Sequence, residues 1–314
     1  NSEARLASRL AKHYGAEHRE ISVRSDDFWD RFVRGCELVE EPNGNIAIPL
    51  YLKMAEAEGR DGDGMRVLMT GCGGDELFYG YSHHDQNYRI DQWLKWLPPS
   101  VLSFLYRMRY GRTVRFERPM ARWLFNRGYH RHYLHQSPED LSQTGNEDEW
   151  AEEYLRAYGI SKEGVYEGLL MDRCAWLAGE NFNRMNKLFM SQSIETRCPF
   201  SYAPFRAAVD QKLCALPYRS RRSRKAALRR CYAGQLPDYI VNRKQKVGWH
   251  APLEEWYSPK ARDLFQSLFA GRKGPLIDWS QIRKVVEQTS RWPGKAVHLY
   301  ASLAILSDYY GIEI

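Results

Sequence analysis

The sequence predicts an α/β fold, with a short parallel-sheet part at the front of the chain and a large helical part behind it. Three observations carry this. Over the first 80 or so residues, apolar positions switch between helical and strand-like spacing with brief connectors, as in a parallel sheet. A glycine-rich turn directly follows the most apolar of the strand-like runs. From about residue 85 onward the patterns are mostly helical and rich in aromatic residues.

Taken in order, Leu6, Leu10 and Tyr14 fall at helical spacing within residues 2–14, and Gly15 is a natural stop. His18 to Val23 alternates and reads as a short strand. Phe28 to Leu38 returns to a helical period, and Glu41-Pro42-Asn43-Gly44-Asn45 is turn chemistry. Ile48 to Ala57 reads as a helix with Pro49 in its first turn. Met65 to Thr70 is a buried strand leading into Gly71-Cys72-Gly73-Gly74-Asp75-Glu76-Leu77-Phe78.

Composition narrows the function classes. Hydrophobic residues make up 43% of the 314, and no apolar run approaches the ~20 residues a membrane helix needs. The N-terminal residues show no charged-then-apolar leader, so a cytoplasmic location is expected. The six cysteines are scattered with no C-x-x-C spacing, which reads as reduced thiols and not as a zinc site. The net charge of +7 suits a phosphate-bearing ligand or a nucleic acid. Much of the excess sits in Arg219 to Arg230, which lacks the interleaved aromatics of a base-stacking surface, so no nucleic-acid partner is expected. Asp61 and Asp63 lack the further ligands a calcium loop requires. His83-His84, His130, His132 and His135 stand in aromatic, arginine-rich surroundings, are expected to lack the acidic or thiol partners of a metal site, and read as surface or packing residues.

Three segments carry candidate chemistry. At the carboxyl end of the 65–70 strand, Gly71, Gly73 and Gly74 would let backbone N–H groups approach a phosphate or nucleotide. Asp75 and Glu76 would supply carboxylates there, or would simply cap the next helix. The second segment runs from Arg184 through Asn186 and Lys187 to Glu195 and Arg197. Charges embedded in an apolar stretch suggest buried pairing, and Arg184 suits two-pronged binding of a substrate carboxylate. In the third, Lys225, Lys244 and Lys246 could neutralise a polyphosphate leaving group or could be surface charges.

Together and in this order, the segments resemble the ATP-dependent synthetase half of the glutamine-hydrolysing asparagine synthetase family. That family writes S-G-[DE]-G-x-D-E-L-F-G-G-Y after a strand, where this chain has Thr70-Gly71-Cys72-Gly73-Gly74-Asp75-Glu76-Leu77-Phe78-Tyr79-Gly80-Tyr81. It continues with an N-K pair and M-A-x-x-x-E-x-R-x-P-F-L-D, matched by Asn186-Lys187, Met190, Glu195, Arg197, Pro199 and Phe200. It closes with K-x-x-L-R, L-P and R-x-K-x-G-F, matched by Lys225 with Leu228-Arg229, Leu236-Pro237, and Lys244, Lys246, Gly248 and Trp249.

The resemblance implies an ATP-pyrophosphatase-like domain over residues 1–314, with 1–84 its α/β nucleotide-binding part and 85–314 the helical part that completes the site. It implies adenylation of a small-molecule carboxylate by ATP with Mg2+, followed by attack of glutamine-derived ammonia. Lys246, Asp75 and Cys72 would occupy catalytic positions. Arg184, Asn186 and Glu195 would bind the acceptor, and Thr70, Gly71, Gly73, Lys225 and Lys246 would contact ATP or pyrophosphate. No metal ligand is assigned to the protein itself, and a homodimer is one assembly the reading admits.

Five departures matter. The S-G-G-x-D-S pyrophosphate loop and first strand of the family do not occur in the sequence, and neither does a glutaminase domain. Both are expected as partner segments, most simply of the same polypeptide. Cys72 stands where many members carry an acid. Phe200-Ser201-Tyr202 replaces F-L-D, and Asn45 falls where the bacterial asparagine-forming type that shares R-x-N-K has arginine. The alternatives are an amidotransferase or cyclase acting on a sugar acid, peptide or lactam precursor, or a non-catalytic scaffold built on the same fold.

Overall fold

A computed structural model describes residues 2–60, 65–82, isolated positions from 84 to 104, residue 169, and residues 172–214, 224–243, 251–274, 277–289 and 291–313. The chain forms two compact units. One comprises Asn1–Leu68, Arg184–Thr196 and Arg243–Ile314, and the other Met69–Asn183 and Arg197–Asn242. The described residues are mostly helical, with one small parallel sheet.

In the first unit, α1 (Ser2–Tyr14), α2 (Ser25–Val39) and α3 (Ile48–Arg60) fall where the apolar spacing placed helices. The face of α2 that carries Phe28, Trp29, Phe32, Cys36 and Val39 is buried, which is one stripe of a 3.6-residue period. Asp27 in its first turn accepts from the Arg24 N–H at 3.1 Å and from Lys53 Nζ at 2.6 Å. The Lys53 contact is the main reason its carboxyl is held below the usual range. Phe28, Trp29 and Phe32 join Phe265, Phe269, Trp279 and Ile305 in the main core of this unit. Trp29 Nε1 donates to the Trp256 carbonyl at 2.8 Å, so the buried indole N–H is satisfied.

His18 to Val23 departs from expectation, because it forms no strand. Alternation favours an extended chain, but a strand also needs a ladder partner. Here the Ser22 carbonyl accepts from Lys53 Nζ at 2.6 Å, and Arg19 pairs with Glu58 at 3.2 Å. Side chains of α3 take the place of a neighbouring strand.

β1 (Val67–Met69) lies within the expected 65–70 run, but the run is not buried, with Met65 44% and Met69 62% exposed. It pairs with β2 (Glu195–Arg197). Glu195 N–H donates to the Arg66 carbonyl in the first unit, and Thr70 N–H to the Arg197 carbonyl in the second, each at 2.8 Å. That offset is the register of parallel strands. After residue 85 the described elements are helical apart from β2 and single bridge residues, as the sequence suggests. No described helix is long and apolar enough to cross a membrane.

The junction of α2 and α3 depends on a glycine. A Cβ on Gly35 would lie 2.5 Å from Cγ2 of Ile48, a buried branched side chain with little room to yield. Gly35→Ala is therefore expected to cost about 1–3 kcal/mol despite the gain in helix propensity. In an Ile48→Ala background the added penalty should largely disappear. Urea denaturation of the four proteins of this double-mutant cycle checks it.

Candidate active site in the glycine turn

The second unit holds the glycine turn and most of what surrounds it. Gly74 N–H reaches back to the Gly71 carbonyl at 3.4 Å, closing the turn, and α4 (Gly74–Leu77) starts within it. Gly73 has φ +90, a left-handed conformation that favours glycine. It is also pressed against a neighbour, since a Cβ there would lie 3.0 Å from Phe200 Cβ. Gly71 is the opposite case. It is exposed, and a Cβ on it would meet nothing within 4 Å. The turn thus has a packed side at Gly73 and Gly74 and an open side at Gly71.

α4 ends in a Schellman-type cap, in which Gly80 N–H donates to the Asp75 carbonyl at 2.8 Å across Tyr79 at φ 56. This fold-back lays the Asp75 carboxylate directly over Gly80. A Cβ on Gly80 would fall 1.7 Å from Asp75 Oδ1 and 2.7 Å from Lys225 Cε. Lys225 Nζ lies 2.8 Å from Asp75 Oδ1. Lys225 N–H also donates to the Phe78 carbonyl at 2.7 Å, and Lys225 itself has φ 50. Two residues 150 positions apart, assigned separately from the sequence, therefore meet in one ion pair, with the backbone of both held by the same turn.

Beneath the turn lies a buried polar layer. Glu76 is 2% exposed, and the Tyr81 hydroxyl donates to its carboxylate. Trp176 Nε1 donates to that hydroxyl at 3.1 Å. Arg173 Nε donates to the Glu76 carbonyl at 3.1 Å, and its guanidinium binds Asp210. Burial raises the Glu76 carboxyl above its ordinary range. Asp75 and Asp172 add to the shift, and the Tyr81 bond opposes it. Burial likewise pushes the Tyr81 phenol upward. His84 Nε2 and Asp172 Oδ2 are 2.6 Å apart and fully buried. This corrects the expectation that the described histidine of the 83–84 pair lacks an acidic neighbour. The partner lies 88 residues away.

Cys72 Sγ accepts from Asn181 Nδ2 at 3.6 Å, and the Cys198 thiol donates to the Cys72 carbonyl. Burial raises the Cys72 thiol above its ordinary value. At neutral pH this position therefore carries no charge, unlike the acid of the family pattern.

The first unit holds the proposed acceptor-binding residues. Arg184 is 2% exposed, with its guanidinium 5.5 Å from the centroid of the Tyr51 ring. Asn186, Glu195 and Arg197 are exposed, so the burial expected of Glu195 and Arg197 is not found. Lys187 has a structural role there, because its Nζ donates to the Val39 carbonyl at 2.7 Å and pairs with Glu40 at 3.0 Å. A cation at the carbonyl end of α2 satisfies an otherwise orphaned acceptor. Lys244, Lys246, Gly248 and Trp249 lie outside the described residues, as do Asp61, Asp63, His83, His130, His132, His135 and Arg219. Sequence reasoning quoted Tyr81 within the family motif but gave it no role, and it missed Asp172, Trp176 and Asn181, which no short local pattern signalled because each joins the site only through tertiary contacts.

The asparagine synthase family model matches residues 1–309, and the chain belongs to that family. A putative glutamine-hydrolysing asparagine synthetase of Mycobacterium tuberculosis H37Rv is 24% identical over 307 residues, covering 91% of this chain and 45% of that protein. Asparagine synthetase 1 of Bacillus subtilis 168 is 22% identical over 289 residues, covering 85% of this chain and 43% of its own length. A putative asparagine synthetase of Methanocaldococcus jannaschii is 30% identical over 93 residues, or 28% of this chain and 17% of that protein. The chain thus spans less than half the length of these relatives.

Two results are expected from the turn. Gly80→Ala should destabilise the fold by about 1–3 kcal/mol, while Gly71→Ala should stay within about 0.5 kcal/mol of wild type. Urea melts of the two variants check this contrast. The second concerns pH. Glu76 has a folded pKa above its unfolded value, so its contribution is fully present below the unfolded pKa and is lost as pH rises through the folded one. Glu76→Gln keeps an acceptor for Tyr81 without the buried charge. The stability of Glu76→Gln relative to wild type should therefore rise from about pH 4 to about pH 8. A difference that stays flat or falls over that range would contradict the assignment.

Proposed function

We propose that this chain is the synthetase part of an ATP-dependent amidating ligase. In the proposed reaction an acceptor carboxylate oxygen attacks the α-phosphorus of ATP, pyrophosphate leaves, and an acyl-adenylate forms. Ammonia released from glutamine then attacks the acyl carbon, giving an amide and AMP. Adenylation supplies the leaving group that a carboxylate lacks.

The observation that carries this reading is the open, glycine-lined turn at the carboxyl end of a parallel strand, with the Asp75–Lys225 pair at its edge. The room at Gly71 suits close approach of a nucleotide to the backbone, with Thr70 and Gly73 on either side. Lys225 is placed to neutralise phosphate charge, with Asp75 positioning it or exchanging it for the ligand. Lys246 is assigned the pyrophosphate, and Arg184, Asn186 and Glu195 the acceptor. Magnesium held mainly by the substrate phosphates would offset charge on the leaving group. The glutaminase and pyrophosphate-loop segments are the partners the reading requires, and a cytoplasmic location accords with it.

Phe200-Ser201-Tyr202 in place of F-L-D and Asn45 in place of arginine favour an acceptor other than aspartate. A sugar acid, a peptide or a lactam precursor is therefore the second reading of the acceptor.

The test is pyrophosphate release by the whole gene product, with ATP, magnesium and glutamine or ammonium, across a panel of carboxylic acids. At least one acid should stimulate release well above buffer. Lys246→Ala should lower kcat/KM for that acid about 100- to 1,000-fold, and Lys225→Ala about 10- to 100-fold. Release that no acid stimulates would leave a non-catalytic scaffold as the better description.

A further inference from the structure

The two strands of the parallel sheet each lead into a cysteine. Cys72 follows β1 within the glycine turn, and Cys198 directly follows β2. The Thr70 N–H to Arg197 carbonyl bond, 2.8 Å, holds these strand ends side by side. The Cys198 thiol donates to the carbonyl of Cys72 itself. Backbone and side-chain reach then put the two Cα atoms no more than roughly 7–8 Å apart, so a disulfide, which spans about 4.4–6.8 Å, requires at most a small backbone shift. Both residues are half-buried, so a small disulfide can reach them, and neither sits in the apolar core. Gly71, between the strand and Cys72, meets nothing that would resist a small shift of the turn.

We propose that Cys72 and Cys198 form a thiol–disulfide modification site, oxidised by low-molecular-weight disulfides of the glutathione class. One cysteine thiolate attacks glutathione disulfide, forming a mixed disulfide and expelling one glutathione thiolate. The second cysteine thiolate attacks the protein-side sulfur, forming the Cys72–Cys198 bond and expelling the second. The two protons leave the protein thiols and end on two glutathiones, so one disulfide is exchanged for another with no further oxidant.

The surroundings favour the bonded form once it is made. A dithiol that is easily kept reduced is one whose thiolate the protein stabilises. At Cys72 burial, with the neighbouring Cys198 and Glu76, outweighs the hydrogen bonds from Thr70 and Asn181 and pushes the thiol up. The same feature makes the exchange slow, because little thiolate is present near neutrality. The bond would tie the Gly71–Gly74 turn to the segment after β2. The site does not depend on whether the chain catalyses amidation.

The test uses the full, reduced chain equilibrated with glutathione disulfide, then blocked with an alkylating agent and digested without reduction. Trypsin places Cys72 alone in Val67–Arg89 and Cys198 alone in Cys198–Arg206. The expected result is these two peptides joined, at a mass two hydrogens below their sum. Exposed Cys231 should carry glutathione and report that oxidant was sufficient. In Cys72→Ser, Cys198 should carry glutathione in place of the link. Three results would overturn the site while Cys231 is modified: both cysteines found alkylated, both found as separate glutathione adducts, or Cys72 joined to any other cysteine.

Discussion

The arrangement of the second unit rests on the ion pair between Asp75 and Lys225 and on the glycine beneath it. The pair is 2.8 Å long and partly open to solvent, so its own contribution to stability is small. Its importance is geometric. The carboxylate can lie where it does only because Gly80 has no Cβ, and the lysine can reach it only because the backbone at 225 adopts a left-handed conformation. Each of these is locally unfavourable or restrictive. They persist because Lys225 N–H bonds the Phe78 carbonyl and Gly80 N–H bonds the Asp75 carbonyl. The turn, the helix it starts and the start of α5 (Ala226–Cys231) are thereby joined into one piece.

Strain at the turn is matched by cost beneath it. Glu76 is buried against Tyr81, Trp176 and Arg173, and the fully buried His84–Asp172 pair lies in the same unit. Buried ionisable groups of this kind contribute little to stability compared with an apolar core of the same volume. They do fix orientation. The Glu76 backbone carbonyl and side chain are each engaged, which fixes the helix that follows the glycines.

Much of this was legible in the sequence, for identifiable reasons. Helices α1 to α3 announce themselves through long, regular apolar spacing and through Gly15 and Pro49. The glycine turn is legible because several glycines in one short stretch after a strand have few other uses, and Gly73 does adopt the left-handed conformation. Order and spacing of motifs across most of the chain identified the family before any geometry did. What failed, failed for want of tertiary information. His18–Val23 alternates like a strand, but alternation says nothing about whether a neighbouring strand exists. Glu195 and Arg197 read as buried because their neighbours are apolar, yet a three-residue strand leaves both exposed. His84 appeared to have no acidic partner because Asp172 is 88 residues distant. Lys187 sits inside a family motif, yet here it completes the end of α2.

The central claim is that the glycine turn and the Lys225 segment respond to one triphosphate ligand. Amide hydrogen exchange followed by mass spectrometry, with and without magnesium ATP, tests it most directly on the whole gene product. The account predicts that peptides spanning residues 70–80 and residues 225–231 gain protection together, at the same nucleotide concentration. Protection confined to other segments, or gained by one of these two while the other is unchanged at saturation, would contradict it.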